Sequence, residues 1–156
     1  MCYNIHMKTP LILYLLCVPT LGASVRCGAK AFSGVTTNNH ESLLESICKV
    51  ESNCNTTEVG DNGNAIGAYQ IWKDYWYDAC VFSEYDDLML SDGYSSCYDK
   101  EYSEKVVLVY WNRYATRKRL GRTPTDEDRA RIHNGGPNGY KKDSTLKYWK
   151  KVQNEM

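Results

Sequence analysis

The sequence predicts an α+β fold, mostly helical, with a small β/turn region after the first helix. Three observations predict it. Leu43, Leu44, Ile47 and Val50 form an apolar stripe at helical spacing. A turn-rich cluster, Gly60-Asp61-Asn62-Gly63-Asn64, follows soon after. Most of the remaining chain falls into segments with helical patterning, separated by Gly, Pro and Asn. With 156 residues there is room for one domain and not two.

The first stretch is set apart from that domain. Lys8 precedes an apolar run, Leu11 to Val18, which Pro19 ends before the small residues Gly22 and Ala23. This is the pattern of a signal peptide over residues 1–23, and the run is too short to span a bilayer. The expectation is a secreted, extracellular protein without membrane insertion. Residues 24–40 lack periodicity and form an irregular lead-in to a domain at 41–156.

Asn39 is placed to cap a helix from about His40 to Ser52. Glu51 lies four residues after Ile47 and seven after Leu44, so it shares the apolar face. A carboxyl there loses solvation, which favours its protonated form. Asn55-Thr56-Thr57 is an N-glycosylation sequon in a polar loop. Short strands are expected to flank the Asn62-Gly63 turn. Gly67-Ala68-Tyr69-Gln70-Ile71 then leads into an aromatic helix from Trp72 to Cys80, and the segment 81–100 is acidic and loop-like.

Residues 101–119 are expected to form one long helix. Val106, Val107, Val109, Tyr110 and Tyr114 make its apolar side, and Gly121 ends it. Thr123-Pro124-Thr125-Asp126 starts the next, with a capping Thr and Pro at the first position. It stops near Ile132, ahead of a Gly-rich loop, 133–139. A last helix runs from about Ser144 to Gln153.

Cys2 and Cys17 leave with the signal, and Cys27, Cys48, Cys54, Cys80 and Cys97 remain. In an oxidising compartment most should pair, and Cys48–Cys54 and Cys80–Cys97 are the expected pairs. No metal and no cofactor is expected. There is no C-x-x-C pair, only three His are present, and Pro137 and the lack of a following Lys-Ser/Thr argue against a phosphate cradle.

Charge is unevenly spread. Residues 24–100 carry 5 Lys+Arg and 12 Asp+Glu, a net of −7, and residues 101–156 carry 13 and 7, a net of +6. Opposed lobes of this kind attract an anionic polymer or dock on each other. The basic third carries no nucleic-acid recognition motif, so nucleic acid is not an expected partner. Thirteen Tyr and four Trp against two Phe suit a half-wet core or a groove that contacts carbohydrate.

Glu51 and Asp61 are the candidate catalytic pair. Cleaving a glycosidic bond takes one carboxylic acid that keeps its proton and, in many enzymes, a second carboxylate that stays ionised. The environment must separate the two. Glu51 sits at the end of an apolar helix face and Asp61 in a polar turn. Glu58 is the alternative second carboxylate.

Cys48-Lys49-Val50-Glu51-Ser52-x-Cys54, then Gly67-Ala68-Tyr69-Gln70-Ile71 and Tyr75-Trp76, resemble the invertebrate-type lysozyme (destabilase) family. Ile132-His133-Asn134-Gly135-Gly136-Pro137-Asn138-Gly139 and Thr145-Leu146-x-Tyr148-Trp149-x-Lys151-Val152-Gln153 are similar to its C-terminal signature. The resemblance covers roughly residues 41–154. It implies a lysozyme-like fold and muramidase action on bacterial peptidoglycan, in defence or digestion, by a monomer or weak dimer. It implies Glu51 as general acid and Asp61 as the catalytic Asp, the latter only across a spacing gap. Ser52, Tyr69, Gln70, His133 and Asn134 would meet substrate at or near the cleft, although for His133 a structural role holding the Gly-Gly-Pro loop weighs more than that of a base. Ser46 and Tyr140 stand where the family pattern carries Cys, which implies a reduced disulfide set. The alternatives are a lytic transglycosylase using Glu51 alone, an isopeptidase acting on γ-glutamyl-ε-lysine bonds, and a non-catalytic wall-binding protein.

Overall fold

The computed structural model describes residues 40–82 and 93–156. The expected signal peptide, the lead-in up to Asn39, and Cys27 lie outside the described residues. Six helices and three short strands follow in the order α1 (Glu41–Ser52), β1 (Val59–Gly60), β2 (Ala65–Ile66), β3 (Ile71–Trp72), α2 (Lys73–Phe82), α3 (Lys100–Tyr114), α4 (Arg117–Leu120), α5 (Asp126–Gly135) and α6 (Leu146–Glu155). This is the expected mostly helical α+β arrangement. The strands form one antiparallel sheet in the order β1-β2-β3, with Val59 opposite Ile66 and Ala65 opposite Trp72. Among the described residues no helix is long and apolar enough to cross a membrane.

The core is built on α3. Val106 to Trp111 are all buried, so this helix is covered on every side rather than along one stripe. Leu43, Leu44 and Ile47 of α1, Trp76 and Ala79 of α2, Ala130 and Ile132 of α5, and Val152 of α6 complete the cluster. Ile66, Ala68, Tyr69 and Ile71 close it from the sheet side.

Several boundaries differ from the sequence reading, each for a local reason. His40, not Asn39, holds the cap position of α1 and makes no side-chain capping bond. Trp72 belongs to β3, and α2 begins one residue later and runs to Phe82. The single helix expected over 101–119 is two. Ala115 and Thr116 leave helical geometry, and the Thr116 hydroxyl caps α4 by accepting from the Arg119 amide. A Thr side chain competing for a backbone donor stops a helix in this way. The break brings Arg119 over the Tyr114 ring, and its guanidinium donates to the Pro137 carbonyl. Gly121, in the left-handed region at φ 74°, ends α4 as expected.

α5 is capped by Thr125, two residues later than expected, because Asp128 closes a capping box with the residue three before it. Asp128 is buried and receives both Arg122 guanidinium nitrogens, at 2.5 and 2.8 Å. Burial pushes its carboxyl upward, but the bonds from Arg122 and Thr125 outweigh that and hold it below the usual carboxylate value. A carboxyl depressed by folding contributes stability above its unfolded pKa and loses it as pH falls through the folded one. Asp128→Asn is therefore expected to cost about 1–2 kcal/mol at neutral pH, as lost caps do. The gap to wild type in urea melts narrows as pH drops below the ordinary aspartate range. A gap independent of pH would contradict this.

Of the two expected disulfides, Cys48–Cys54 is present and Cys80–Cys97 is not formed. Both thiols are buried where α2 meets the turn 94–98. Burial and the neighbouring Cys80 push the Cys97 thiol up to about 12. Ser46, where the resemblance implies a Cys, is buried and donates to the Ser42 carbonyl.

Candidate active site

Glu51 occupies the last turn of α1, on the face that Leu44 and Ile47 bury. Its side chain is 18% exposed, half-sunk as the helical spacing predicts. Behind it the chain reverses through Asn53 and Cys54, both at positive φ, and the Cys48–Cys54 bond ties this reversal to the helix. Non-glycine residues in that region are strained and persist where the surroundings hold them. The reversal feeds β1 and the turn at 61–63, where Asp61, Asn62 and Gly63 all have positive φ.

Asp61 is exposed, and its Oδ2 accepts from the Trp72 indole N–H at 3.1 Å. Glu58, the alternative carboxylate, is engaged by the Asn55 amide at 2.9 Å. The same Asn55 accepts from the Thr57 amide and hydroxyl. Gln70 sits at φ 47° and ties its own turn, its amide donating to the Gly67 carbonyl at 2.9 Å.

A cleft of about 500 Å³ is lined by Gln70, Trp72, Tyr75 and Tyr77 on one part of its wall, and by His133, Asn134, Gly136 and Pro137 on another. Asp74, Asp78 and Tyr110 complete the lining. Glu51 and Asp61 each contact a residue of this wall. The Glu51 carboxyl lies 3.5 Å from His133 Nε2. Asp61 is held by Trp72, half of whose surface is exposed.

His133 is buried, with the Tyr75 hydroxyl 3.3 Å from its Nδ1. Tyr75 in turn stacks on Tyr110 at 3.6 Å between ring centres. Burial above all, then the neighbouring Tyr110 and Glu51, holds the Tyr75 hydroxyl well above its ordinary pKa. The protonated hydroxyl can donate to or accept from Nδ1, and the tautomer of the ring sets which, while Nε2 faces Glu51. Asp78 is fixed by Arg113 at 2.6 Å and by the Tyr114 hydroxyl.

The sequence-derived candidates separate into two groups. Glu51, Asp61, Gln70, His133 and Asn134 line the cleft or touch its wall. Ser52 and Tyr69 do not line it. The Ser52 hydroxyl donates to the Ala68 carbonyl at 2.8 Å, fastening α1 to the sheet region. Tyr69 is fully buried and its hydroxyl donates to Glu104 on α3, so no surface of it is left for a glycan. His133 and Asn134 were expected on a loop but lie in the last turn of α5, which continues to Gly135 and ends at Gly136, φ 75°. His133 faces Glu51 rather than fastening the Gly-Gly-Pro loop. The loop is held at Gly139, whose carbonyl accepts from the Thr145 hydroxyl at 2.8 Å and where a Cβ would meet the Arg131 carbonyl oxygen at 1.8 Å.

Sequence reasoning gave no role to Trp72, Tyr77, Asp74, Asp78 or Tyr148. The aromatic excess was the available signal, but it does not say which rings face the cleft.

The destabilase family model matches residues 40–155. Invertebrate-type lysozyme 6 of Caenorhabditis elegans is 32% identical over 130 residues, 81% of this chain and 93% of that protein. The lysozyme of Meretrix lusoria, in a crystal structure with Aeromonas hydrophila PliI, superposes with a TM-score of 0.60 at 32% identity, covering 73% of this chain and 88% of that one. Tapes japonica lysozyme gives 0.59 at 34%, covering 72% and 87%. This chain belongs to the destabilase family, in the company of these invertebrate lysozymes.

Proposed function

We propose that the protein is a secreted lysozyme, a glycoside hydrolase that cleaves the β-1,4 bonds of bacterial peptidoglycan. Glu51 is its general acid and Asp61 its second carboxylate. One observation carries this reading. Two carboxylates from separate elements touch the wall of one aromatic-lined cleft, Glu51 through His133 and Asp61 through Trp72. The family and the lysozyme names of the relatives agree with it.

In this mechanism a sugar strand lies in the cleft with rings against Trp72 and Tyr77. Glu51 gives its proton to the leaving glycosidic oxygen as that bond breaks. Asp61 attacks the sugar carbon or stabilises its positive charge, and water completes the reaction. Glu51 then takes a proton from that water. The mature chain begins after about residue 23, with the catalytic domain at 41–156.

The reading is tested by the clearing of purified cell wall, wild type against Glu51→Gln, with mass spectrometry of the products. Reducing sugar ends support the hydrolase, and anhydro ends point to a transglycosylase. Asp61→Asn is expected to lower kcat by about a hundredfold or more, the scale of losing a charge-stabilising group. Near-full activity in that variant would remove Asp61 from the mechanism.

A further inference from the structure

Asn55-Thr56-Thr57 stands in the connection between α1 and β1. No other Asn of the chain is followed two residues later by Ser or Thr. Asn55 and Thr57 are both exposed. The Asn55 side-chain oxygen accepts from the Thr57 amide at 3.0 Å and from its hydroxyl at 2.9 Å. The Glu58 amide closes the turn by donating to the Asn55 backbone carbonyl at 3.3 Å. The residue that would accept a sugar and the hydroxyl that marks it are thus held together at the surface. The Asn55 Nδ2 donates to the Glu58 carboxylate at 2.9 Å. A side-chain amide nitrogen carries two hydrogens, and this bond uses one.

We propose that Asn55 is an N-glycosylation site and carries one N-linked oligosaccharide in the secreted protein. The inference rests on the reading that the chain is secreted, and it is independent of the catalytic residues. The co-reactant is an oligosaccharide carried on a lipid diphosphate, which the secretory pathway supplies together with its transferase. Nδ2 attacks the first sugar carbon, and a C–N bond forms there. The bond from that carbon to the phosphate oxygen breaks, and the lipid diphosphate leaves with the electron pair. Nδ2 gives up one proton to a base and keeps the other. Replacing the hydrogen that Glu58 does not use leaves every bond of the Asn55 side chain in place. A bulky, solvated group needs an acceptor at the surface, and this turn offers one. Asn55 does not line the cleft. The Cys48–Cys54 bond ends one residue before Asn55. A disulfide belongs to an oxidising compartment such as the lumen in which the sugar is transferred.

The test is expression of the full-length chain in a secreting eukaryotic cell line, with medium and lysate examined for wild type, Asn55→Gln, Thr57→Ala and Thr57→Ser. Wild type from the medium is expected to run above the position of its bare polypeptide. Peptide N-glycosidase should move it down in a single shift and leave Asp at position 55, read by mass spectrometry of the peptide. Asn55→Gln and Thr57→Ala should run at the digested position, whereas Thr57→Ser, which keeps the hydroxyl, should retain the shift. The digestion and peptide mass of wild type decide the matter even where a variant fails to fold. Wild type that reaches the medium at the mass of the bare polypeptide overturns the proposal and leaves secretion standing. Wild type confined to the lysate and free of sugar removes secretion, and this inference with it. A shift that survives in both Asn55→Gln and Thr57→Ala puts the sugar elsewhere and also overturns the proposal.

Discussion

Glu51→Gln is expected to lower kcat for wall clearing by about 10²- to 10⁴-fold, the usual range for loss of a general acid. The change is close to isosteric, which makes the result informative. Gln keeps the length of the side chain and an amide that can still hydrogen-bond to His133 Nε2. It has no proton to give to a leaving oxygen. The residue sits at a helix end, partly exposed, and the packing of α1 rests on Leu43, Leu44 and Ile47, so the melting temperature should move little. Binding should also survive, because Trp72, Tyr77 and Gln70 are untouched. A wall-pelleting assay with the inactive variant measures this directly. Activity near wild type would rule out Glu51 as the acid, and joint loss of activity and wall binding would indicate a damaged cleft.

How far the sequence revealed this site depended on the length of each element. α1 is long enough for periodicity to work. The spacing of Leu44, Ile47 and Glu51 placed the carboxyl on a buried face, and the structure agrees. The strands that follow are two residues each. Two-residue strands and the turn between them have no period from which to assign faces, so Tyr69, in that turn, was expected in the cleft but belongs to the core, while Trp72 was expected in a helix but forms the exposed cleft rim. Gln70 reaches the cleft through a positive φ that no propensity foretells. At His133, the two glycines that follow suggested a loop, yet Gly135 is accommodated in the last helical turn and only Gly136 needs the left-handed region. Tyr148 is the least legible case. In sequence it is one apolar-face residue of an amphipathic helix. Its place beside His133, 6.5 Å between ring centres, arises only when α5 and α6 pack together.

Gly67→Ala is expected to destabilise the protein by about 3–5 kcal/mol, combining left-handed strain with overpacking. Gly67 has φ 73°, and a Cβ there would lie 2.0 Å from the Cys97 carbonyl oxygen and 3.0 Å from its carbon. Both are backbone atoms and cannot rotate away. The carbonyl is also pinned from below, since the buried Ser103 hydroxyl donates to it at 2.7 Å. Relief would have to come from the other side, where the Gly67 amide donates to Glu58 and its carbonyl accepts from the Gln70 amide and side chain. Any such shift carries Gln70, and Trp72 two residues beyond it, away from the cleft wall, so the folded fraction should also show a higher KM. Gly121→Ala is the control. It shares the positive φ, at 74°, but has nothing within 4 Å of the added carbon, so it should cost only about 1–2 kcal/mol. Thermal melts of the two variants isolate the contact with Cys97. Equal losses would mean that backbone strain alone sets the cost and that the sheet region is free to move off the turn at 94–98. A much larger loss for Gly67 would mean that the cleft wall is held by a close approach of two backbones that only glycine permits.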